Sequence, residues 1–283
     1  MSIPEYDLLV CGATLSGLGA AAAAREAGRK VIVVERMALT GNEFIEAFNP
    51  GSERTEPKTE FGIRFRDELA KRGLIGDNGL IHLPALHPVL CLLIDSQSLK
   101  VRFLTEIVDV AKQGDTHEVL LHDSSGFQRI NAKEILDTTS LRLSTPGRLF
   151  QPKRKWINSY LHSPSVGVEP APAPFDESIS VCGGRFPSEV ILKLEIPPGG
   201  SWQEARRRLY QLWKNRPEEW KSWTIAATAS AFENEIPFAS EAISDTWFWL
   251  PSESYPNPLA AIDEGYAFAQ NMGGAERAAS ASH

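Results

Sequence analysis

The chain has 283 residues, 42% of them hydrophobic and 23% charged, a composition that excludes wholesale disorder and predicts about two globular domains. Its formal net charge of −7 gives no general attraction to nucleic-acid backbones or anionic lipid, so we expect neither nucleic acid nor a membrane as partner. The first residues lack a basic leader region, and no apolar run reaches the roughly 18 residues of a membrane-spanning helix, so we expect a soluble, cytoplasmic protein.

The first forty residues predict a strand–helix–strand unit. An apolar run over residues 7–11 ends at Gly12 and is typical of a buried parallel strand. The alanine-rich stretch 15–27 follows, with Gly28 at its expected C-terminal cap, and predicts a helix. Residues 30–35 form a second apolar strand. This order favours a parallel sheet with a right-handed crossover.

Residues 61 to 137 predict an alternation of helices and strands. Apolar residues recur first at helical spacing and then in short runs, and the turn residues Asp-Ser-Ser-Gly separate two of the runs. The predicted elements are a helix containing Phe61, Phe65 and Leu69, a helix over 89–97 opened by Pro88, a strand over 101–110, a hairpin over 117–122 and 127–131, and a short strand over 134–137.

A change in composition predicts a second domain. Prolines and basic residues accumulate over 146–174, which favours an extended crossing segment. Beyond it we predict strands over 189–196 and 223–232, and between them Ser201 and Glu204 have the spacing of a capping box that begins a helix. The predicted boundaries give a discontinuous first domain, 1–155 with 239–283, and a small inserted substrate or cap domain, 156–238.

A glycine-rich turn joins the first strand to the first helix. Gly12 and Gly17 hold the outer positions of a GxGxxG motif, and Thr14 holds the middle one. Gly12 permits the tight turn, and Gly17 lets the helix approach the sheet, so the helix N-terminus can offer N–H groups to a pyrophosphate. Thr14 would crowd a pyrophosphate. Either the phosphates lie further out, or the Thr14 hydroxyl donates a hydrogen bond, or nucleotide binding is lost.

Glu35 ends the second predicted strand, 18 residues after Gly17. An acidic residue there accepts hydrogen bonds from the hydroxyls of an adenosine ribose and disfavours a 2′-phosphate, which argues against NADP. The alternative is a parallel-sheet fold whose glycine-rich turn binds nothing. Both glycines and Glu35 occur in the expected setting, and this combination favours a dinucleotide.

Other motifs are absent from the sequence. There is no HxH, HExxH or GxSxG pattern, and the three cysteines are far apart, so we predict neither a metal site, a hydrolase nucleophile nor a redox pair. His82 and His87 are close in sequence, and the sequence does not decide whether one of them accepts a proton at the site or both are structural. We therefore predict no particular catalytic residue.

Residues 6–36, YDLLVCGATLSGLGAAAAAREAGRKVIVVER, resemble the N-terminus of FAD-dependent oxidoreductases of the glutathione-reductase-like class, in particular a branch with threonine at the middle glycine position. VRFLTEIVDV, residues 101–110, resembles the strand that borders the adenine in that family. INAKEILDTTS, residues 130–140, resembles the stretch that follows the family's hairpin. NPLAAIDEGYAFAQNM, residues 257–272, resembles the closing helix whose N-terminus approaches the flavin pyrimidine.

The resemblance implies FAD as the cofactor and an α/β fold with a discontinuous, Rossmann-like FAD-binding domain. It also places Gly41 and Asn42 where the family's chain passes near the flavin ring, although an ordinary turn is an equal reading of this pair. The residues that it implies for FAD binding are Gly12, Ala13, Thr14, Ser16, Gly17, Glu35, Arg36, Gly41, Asn42, Ile107, Thr138, Asn257 and Leu259.

We therefore expect an FAD-dependent oxidoreductase that oxidises a small organic substrate by hydride transfer to the flavin. Two alternatives stay open. One is a flavin-dependent monooxygenase that uses NAD(P)H and oxygen. The other is a degenerate flavin-fold protein that acts as a binding or maturation partner, which is favoured by Ser140 in place of the usual glycine and by the lack of a Gly-Asp pair before the last helix. A protein partner or a homo-oligomer is also left open.

Overall fold

The computed structural model describes residues 3–51, 55–164, 172–184, 186 and 188–272. The strands are β1 Glu5–Cys11, β2 Val31–Val34, β3 Val101–Arg102, β4 Glu106–Gln113, β5 Thr116–Asp123, β6 Gly126–Asp137, β7 Arg154–His162, β8 Ile179–Gly183, β9 Glu189–Ile196, β10 Thr224–Thr228, β11 Glu233–Glu235, β12 Glu241–Ser244 and β13 Trp247–Trp249. The α-helices are α1 Leu15–Glu26, α2 Asn42–Ile45, α3 Glu60–Lys71, α4 Leu86–Ser96, α5 Trp202–Lys214 and α6 Pro258–Met272, and short 3-10 helices occupy Leu83–Ala85, Glu218–Trp220 and Ser252–Ser254. Within these ranges no helix has both the length and the apolar character needed to cross a membrane.

The first sheet has a parallel centre, in the order β12-β13-β6-β1-β2-β3. From β13 to β3 all neighbours run parallel, and β12 is antiparallel to β13. In β1 the side chains of Leu8, Leu9 and Val10 are fully buried, because helices cover one face and the β4–β6 hairpin region covers the other. The prediction of an α/β, Rossmann-like fold is therefore confirmed. Strands from both ends of the chain contribute to this sheet.

Two predicted strand boundaries are wrong, for the same reason. Val101 pairs with Val33 in the parallel sheet, whereas β4 pairs antiparallel with β5, so the predicted strand 101–110 is divided at Leu104, whose φ is +51°. Conversely, the predicted strands 127–131 and 134–137 are one strand, β6. It pairs with β5 up to Ala132 and with β1 from Asn131 onward. The pairing partners, which are distant in sequence, set both boundaries.

The predicted start of the helix at Pro88 is also wrong. Helix α4 begins two residues earlier, at Leu86, directly after the 3-10 helix Leu83–Ala85. Pro88 is then the third helical residue, still within the first turn, where a missing N–H breaks no intrahelical hydrogen bond.

Helices α1 and α6 pack at backbone distance. Residues 15–24 of α1 are all buried. A Cβ atom on Gly265 would lie 2.1 Å from the Ser16 carbonyl oxygen, and one on Gly19 would lie 2.1 Å from the Ile262 carbonyl oxygen. The Ser16 hydroxyl donates to the Ala261 carbonyl at 2.9 Å. The C-terminal helix is thereby fixed against the first turn of α1.

The second sheet is antiparallel, in the order β10-β7-β9-β8, and β11 also pairs with β7. Ser201 and Glu204 form the predicted capping box of α5, which packs on this sheet. The predicted strand 223–232 is wrong in extent, because β10 ends at Thr228 and the chain returns to β7 only with β11. The domain boundaries at 155/156 and 238/239 stay a prediction; residues 165–171 of the crossing segment and 273–283 lie outside the described residues.

Asp263 joins α6 to the start of α3. Its buried carboxylate accepts hydrogen bonds from the backbone N–H groups of Lys58 at 2.7 Å and Thr59 at 3.0 Å. It also accepts one from the Thr59 hydroxyl at 2.5 Å, and that hydroxyl in turn accepts from the Gly62 N–H as the N-cap of α3. One side chain therefore satisfies several donors before α3.

We expect Asp263→Ala to lower the free energy of unfolding by about 2–4 kcal/mol, because two backbone N–H groups lose a charged acceptor in a buried setting. Urea unfolding monitored by circular dichroism measures the change. Glu264→Ala is the matched control: Glu264 is the next residue and forms an exposed ion pair with Lys58. Equal stabilities of the two variants would contradict this role of Asp263.

Candidate functional site

The turn between β1 and α1 requires both of its outer glycines. Gly12 has a φ of +99°, which favours glycine, and a Cβ atom there would lie 2.9 Å from Thr139 Cγ2. A Cβ atom on Gly17 would lie 2.2 Å from the Gly12 carbonyl oxygen. The turn is therefore as tight as the motif predicts, and the first turn of α1 lies directly at the carboxyl end of β1.

Thr14 is the N-cap of α1. Its hydroxyl accepts from the Gly17 N–H at 3.0 Å and donates to Thr138 Oγ1 at 2.7 Å. Thr138 in turn donates to the Cys11 carbonyl at 3.0 Å. The Thr14 hydroxyl thus donates its hydrogen bond within the protein, and this bond links the glycine-rich turn to the end of β6.

Glu35 binds the same turn from β2. Its Oε2 accepts from the Ala13 N–H at 2.8 Å, and its Oε1 accepts from the Met37 N–H at 2.6 Å. Burial raises the pKa of the Glu35 carboxyl, while the hydrogen bonds from Met37 and Ala13 oppose that rise. A carboxylate has about four lone-pair sites, so each oxygen can accept a further donor.

A cavity of about 250 Å³ opens at the carboxyl ends of β1 and β2; we call it the β1–β2 cavity. Four of the predicted FAD-binding residues line it: Gly12, Glu35, Arg36 and Ile107. Leu143, Pro146 and Leu149 close it from the segment after β6. The sequence did not predict these three, since only the fold brings the segment to this edge. The cavity therefore combines an apolar lining with one buried carboxylate.

Gly41 and Asn42 lie next to the glycine-rich turn. Gly41 has a φ of +66°, and its N–H donates to the Ala13 carbonyl at 2.9 Å. Asn42 begins the short helix α2, and its side-chain amide donates to the Leu39 carbonyl at 2.7 Å. The Gly41 N–H thus links the start of α2 to the glycine-rich turn, whereas the Asn42 side chain bonds within its own loop.

Two polar side chains that the sequence did not predict contact the N-terminus of α1. The Leu15 N–H donates to Glu43 Oε1 at 2.8 Å, and the Ser16 N–H donates to Ser252 Oγ at 3.2 Å. The Ser252 hydroxyl donates to Glu43 Oε1 at 2.7 Å. Glu43 Oε2 is buried and meets no hydrogen-bond donor in the described part of the chain. Burial raises the pKa of Glu43 to about 7.

Asn257 and Leu259 lie at a separate cavity of about 340 Å³, which we call the α6 cavity. Asn257 caps α6 as predicted: its Oδ1 accepts from the Ala260 N–H at 2.9 Å. Its Nδ2 donates to Thr55 Oγ1 at 2.7 Å. A Cβ atom on Gly51 would lie 2.5 Å from the Asn257 Cβ, so the chain near residue 51 lies against the start of α6.

A third cavity, of about 250 Å³, lies between the second sheet and the segment before α4; we call it the β7–β9 cavity. Its lining includes Pro50, His82, Tyr160, His162 and Ile191. His87 lies elsewhere, with its Nδ1 3.1 Å from the Thr40 hydroxyl. Of the two histidines left open by the sequence, His82 lines this cavity.

Comparison with protein families gives a match over the N-terminal part of the chain. Residues 7–141, just under half of the chain, match the model of the FAD dependent oxidoreductase family. The predictions of an FAD-dependent oxidoreductase and of FAD as its cofactor are therefore confirmed at the level of the family. A comparison with curated proteins gives no match.

Solved structures with the same fold cover nearly the whole chain. The p-nitrophenol 4-monooxygenase PnpA from Pseudomonas putida DLL-E4 is 15% identical, with a TM-score of 0.62 over 95% of this chain and 78% of that one. A geranylgeranyl bacteriochlorophyll reductase-like protein from Thermoplasma acidophilum is 15% identical, with a TM-score of 0.65 over 98% of this chain and 80% of that one. An aklavinone-11 hydroxylase in complex with FAD and aklavinone is 16% identical, with a TM-score of 0.57 over 95% of this chain and 62% of that one. At these identities the likenesses show the fold alone.

Proposed function

We propose that the protein oxidises a small organic substrate by hydride transfer to FAD, with the adenosine half of FAD in the β1–β2 cavity. The observation that carries this proposal is the position of Glu35. It lies beside the glycine-rich turn and lines the cavity, and its two oxygens keep acceptor sites for ribose hydroxyls. The glutathione-reductase-like branch, with Thr14 at the middle position, is part of the same proposal.

The side chains that line the β1–β2 cavity suit an adenosine chemically. Ile107 and Leu143 supply apolar surface for an adenine, and Glu35 supplies acceptors for the ribose. Gly12 lets the chain approach the nucleotide because it has no side chain. From this cavity, a pyrophosphate would extend toward Ser16 and Gly17 at the N-terminus of α1.

The substrate is best accommodated by the β7–β9 cavity. Pro50 lines that cavity, while its neighbour Gly51 contacts Asn257 at the N-terminus of α6, where the family resemblance places the flavin ring. Bound FAD supplies a hydride acceptor at such a junction. The chain contributes a concave surface that would orient the substrate, and His82 and His162 supply groups that can exchange a proton with it.

A monooxygenase is the second candidate. The p-nitrophenol 4-monooxygenase and the aklavinone-11 hydroxylase share the fold over 95% of this chain, too large a share to leave out the second sheet. In this case the flavin would be reduced by NAD(P)H, and oxygen would be the second substrate.

A flavin-fold protein that acts as a binding or maturation partner is the third candidate. Two features favour it: Glu43 at the N-terminus of α1, and Ser140 in place of the usual glycine.

Flavin uptake followed by an oxygen assay separates the monooxygenase from the other two functions. We expect the purified protein to retain FAD after incubation and desalting, with a flavin absorption spectrum and FAD as the released species. NADPH oxidation with oxygen consumption, stimulated by p-nitrophenol as probe, would favour the monooxygenase. FAD retention without either reaction in this assay would favour the hydride-transfer enzyme or the binding protein. Failure to retain FAD would contradict the proposed function.

A further inference from the structure

The N-terminus of α1 is bound by a carboxylate of the same chain. Glu43 Oε1 accepts a hydrogen bond from the Leu15 N–H, and Ser252 Oγ accepts one from the Ser16 N–H. These N–H groups of the first helical turn have no partner within the helix, and they already donate to protein oxygens. These are the donors that a pyrophosphate uses at the N-terminus of a helix after a glycine-rich turn. Glu43 is 7% exposed, and its second oxygen meets no donor in the described residues.

The surroundings of Glu43 are acidic. Glu35 faces it from the end of β2, and Glu253 faces it from the 3-10 helix Ser252–Ser254. The first turn of α1 and the 3-10 helix Leu83–Ala85 carry no charged residue. Glu46 is the C-cap of α2 itself, and α4 brings His87 to Thr40. A phosphate at the N-terminus of α1 would therefore lie beside a buried carboxylate.

We propose that Glu43 competes with phosphate for the N-terminus of α1, so that FAD binding to this chain is coupled to protonation of the Glu43 carboxyl. The inference rests on the proposed position of FAD. A carboxylate and a phosphate oxygen accept the same N–H group, and two anions repel each other strongly in a poorly hydrated site. A neutral carboxyl removes the repulsion and can itself donate a hydrogen bond.

The expected effect of pH on FAD affinity follows from the raised pKa of Glu43. Burial raises the pKa of Glu43 to about 7, so the neutral form predominates below neutrality and the charged form above it. If only the neutral form binds, the apparent dissociation constant scales inversely with the fraction of that form. FAD should therefore bind roughly tenfold more weakly at about pH 8 than at about pH 6.

Three ligands and two variants test the coupling. Dissociation constants for FAD, ADP and adenosine are measured by calorimetry at about pH 6 and about pH 8, for the wild-type protein, Glu43→Gln and Glu46→Gln. The amide introduced by Glu43→Gln keeps an oxygen for the Leu15 N–H but cannot be charged. Glu46→Gln makes the same change in charge at the end of the same helix. Adenosine lacks phosphate and reports the β1–β2 cavity alone.

We expect Glu43→Gln to bind FAD and ADP roughly tenfold more tightly than the wild type at about pH 8 and to lose most of the pH dependence. Adenosine binding should not change, and Glu46→Gln should behave as the wild type. Equal FAD and ADP affinities for wild type and Glu43→Gln at both pH values would overturn the inference while leaving the proposed function intact. If neither protein bound FAD or adenosine at either pH, both the inference and the proposed function would be wrong.

Discussion

Replacing Gly265 with valine is expected to lower the free energy of unfolding by about 3 kcal/mol or more. The new Cβ would lie 2.1 Å from the Ser16 carbonyl oxygen and 2.6 Å from the Ser16 Cα. These are backbone atoms of a buried helix, so the two helices must separate, and overpacking of a close contact is destabilising. Valine has a higher helix propensity than glycine, so helix propensity alone would make the variant more stable. The predicted loss of stability therefore comes from the contact between the helices.

The measurement is equilibrium unfolding in urea, with Gln270→Val as the matched control. Gln270 is exposed on the same helix, and valine there changes only the helix propensity. Separation of the helices would also move Ser16, so FAD uptake should be lost along with stability. A Gly265→Val protein as stable as Gln270→Val would show that α1 and α6 tolerate a wider separation than the structure indicates.

The second large effect is expected on cofactor affinity. Glu35→Ala should weaken FAD binding by about 1–3 kcal/mol, or roughly 5- to 150-fold, because the ribose hydroxyls lose charged acceptors. The variant also removes the acceptor of the Ala13 and Met37 N–H groups. The glycine-rich turn loses a support, which adds to the loss of affinity.

Flavin fluorescence quenching gives the dissociation constant, and thermal unfolding reports whether the turn remains folded. Glu106→Ala is the control, because Glu106 lines the same cavity but its side chain is 54% exposed and paired with Arg36. We expect the control to bind FAD nearly as the wild type does. An unchanged affinity of Glu35→Ala would mean that the ribose is held elsewhere.

The part of the site that the sequence predicts is the part built from neighbours in sequence. Gly12, Gly17 and Glu35 lie within one strand–helix–strand unit, and spacing alone fixes their relation because each element has a standard geometry. The N-cap at Asn257 was predictable for the same reason, since a cap contacts only the next few residues. Whether FAD occupies these residues stays a prediction.

Glu43 and Ser252 could not be predicted, because they are 209 residues apart in the chain and meet only after α6 packs on α1. Neither belongs to a motif, and a glutamate in a short helix is usually exposed. The division of the predicted strand at Leu104 could not be predicted either, because it also depends on residues distant in sequence. Local apolar content favours one strand, but two different partners, β2 and β5, determine where the pairing changes.

The contact between α1 and α6 has a consequence for how the chain acquires its structure during synthesis. The apolar surface of α1 is covered by a helix whose residues emerge from the ribosome more than 200 positions later. Until then, the β1–α1–β2 unit leaves the ribosome with an uncovered flank, whereas β7 to β11 with α5 can pair among themselves as soon as they emerge. The inserted sheet can thus complete its hydrogen bonding before the sheet into which it is inserted, and chaperones that shield apolar surface would act chiefly on the N-terminal third of the nascent chain.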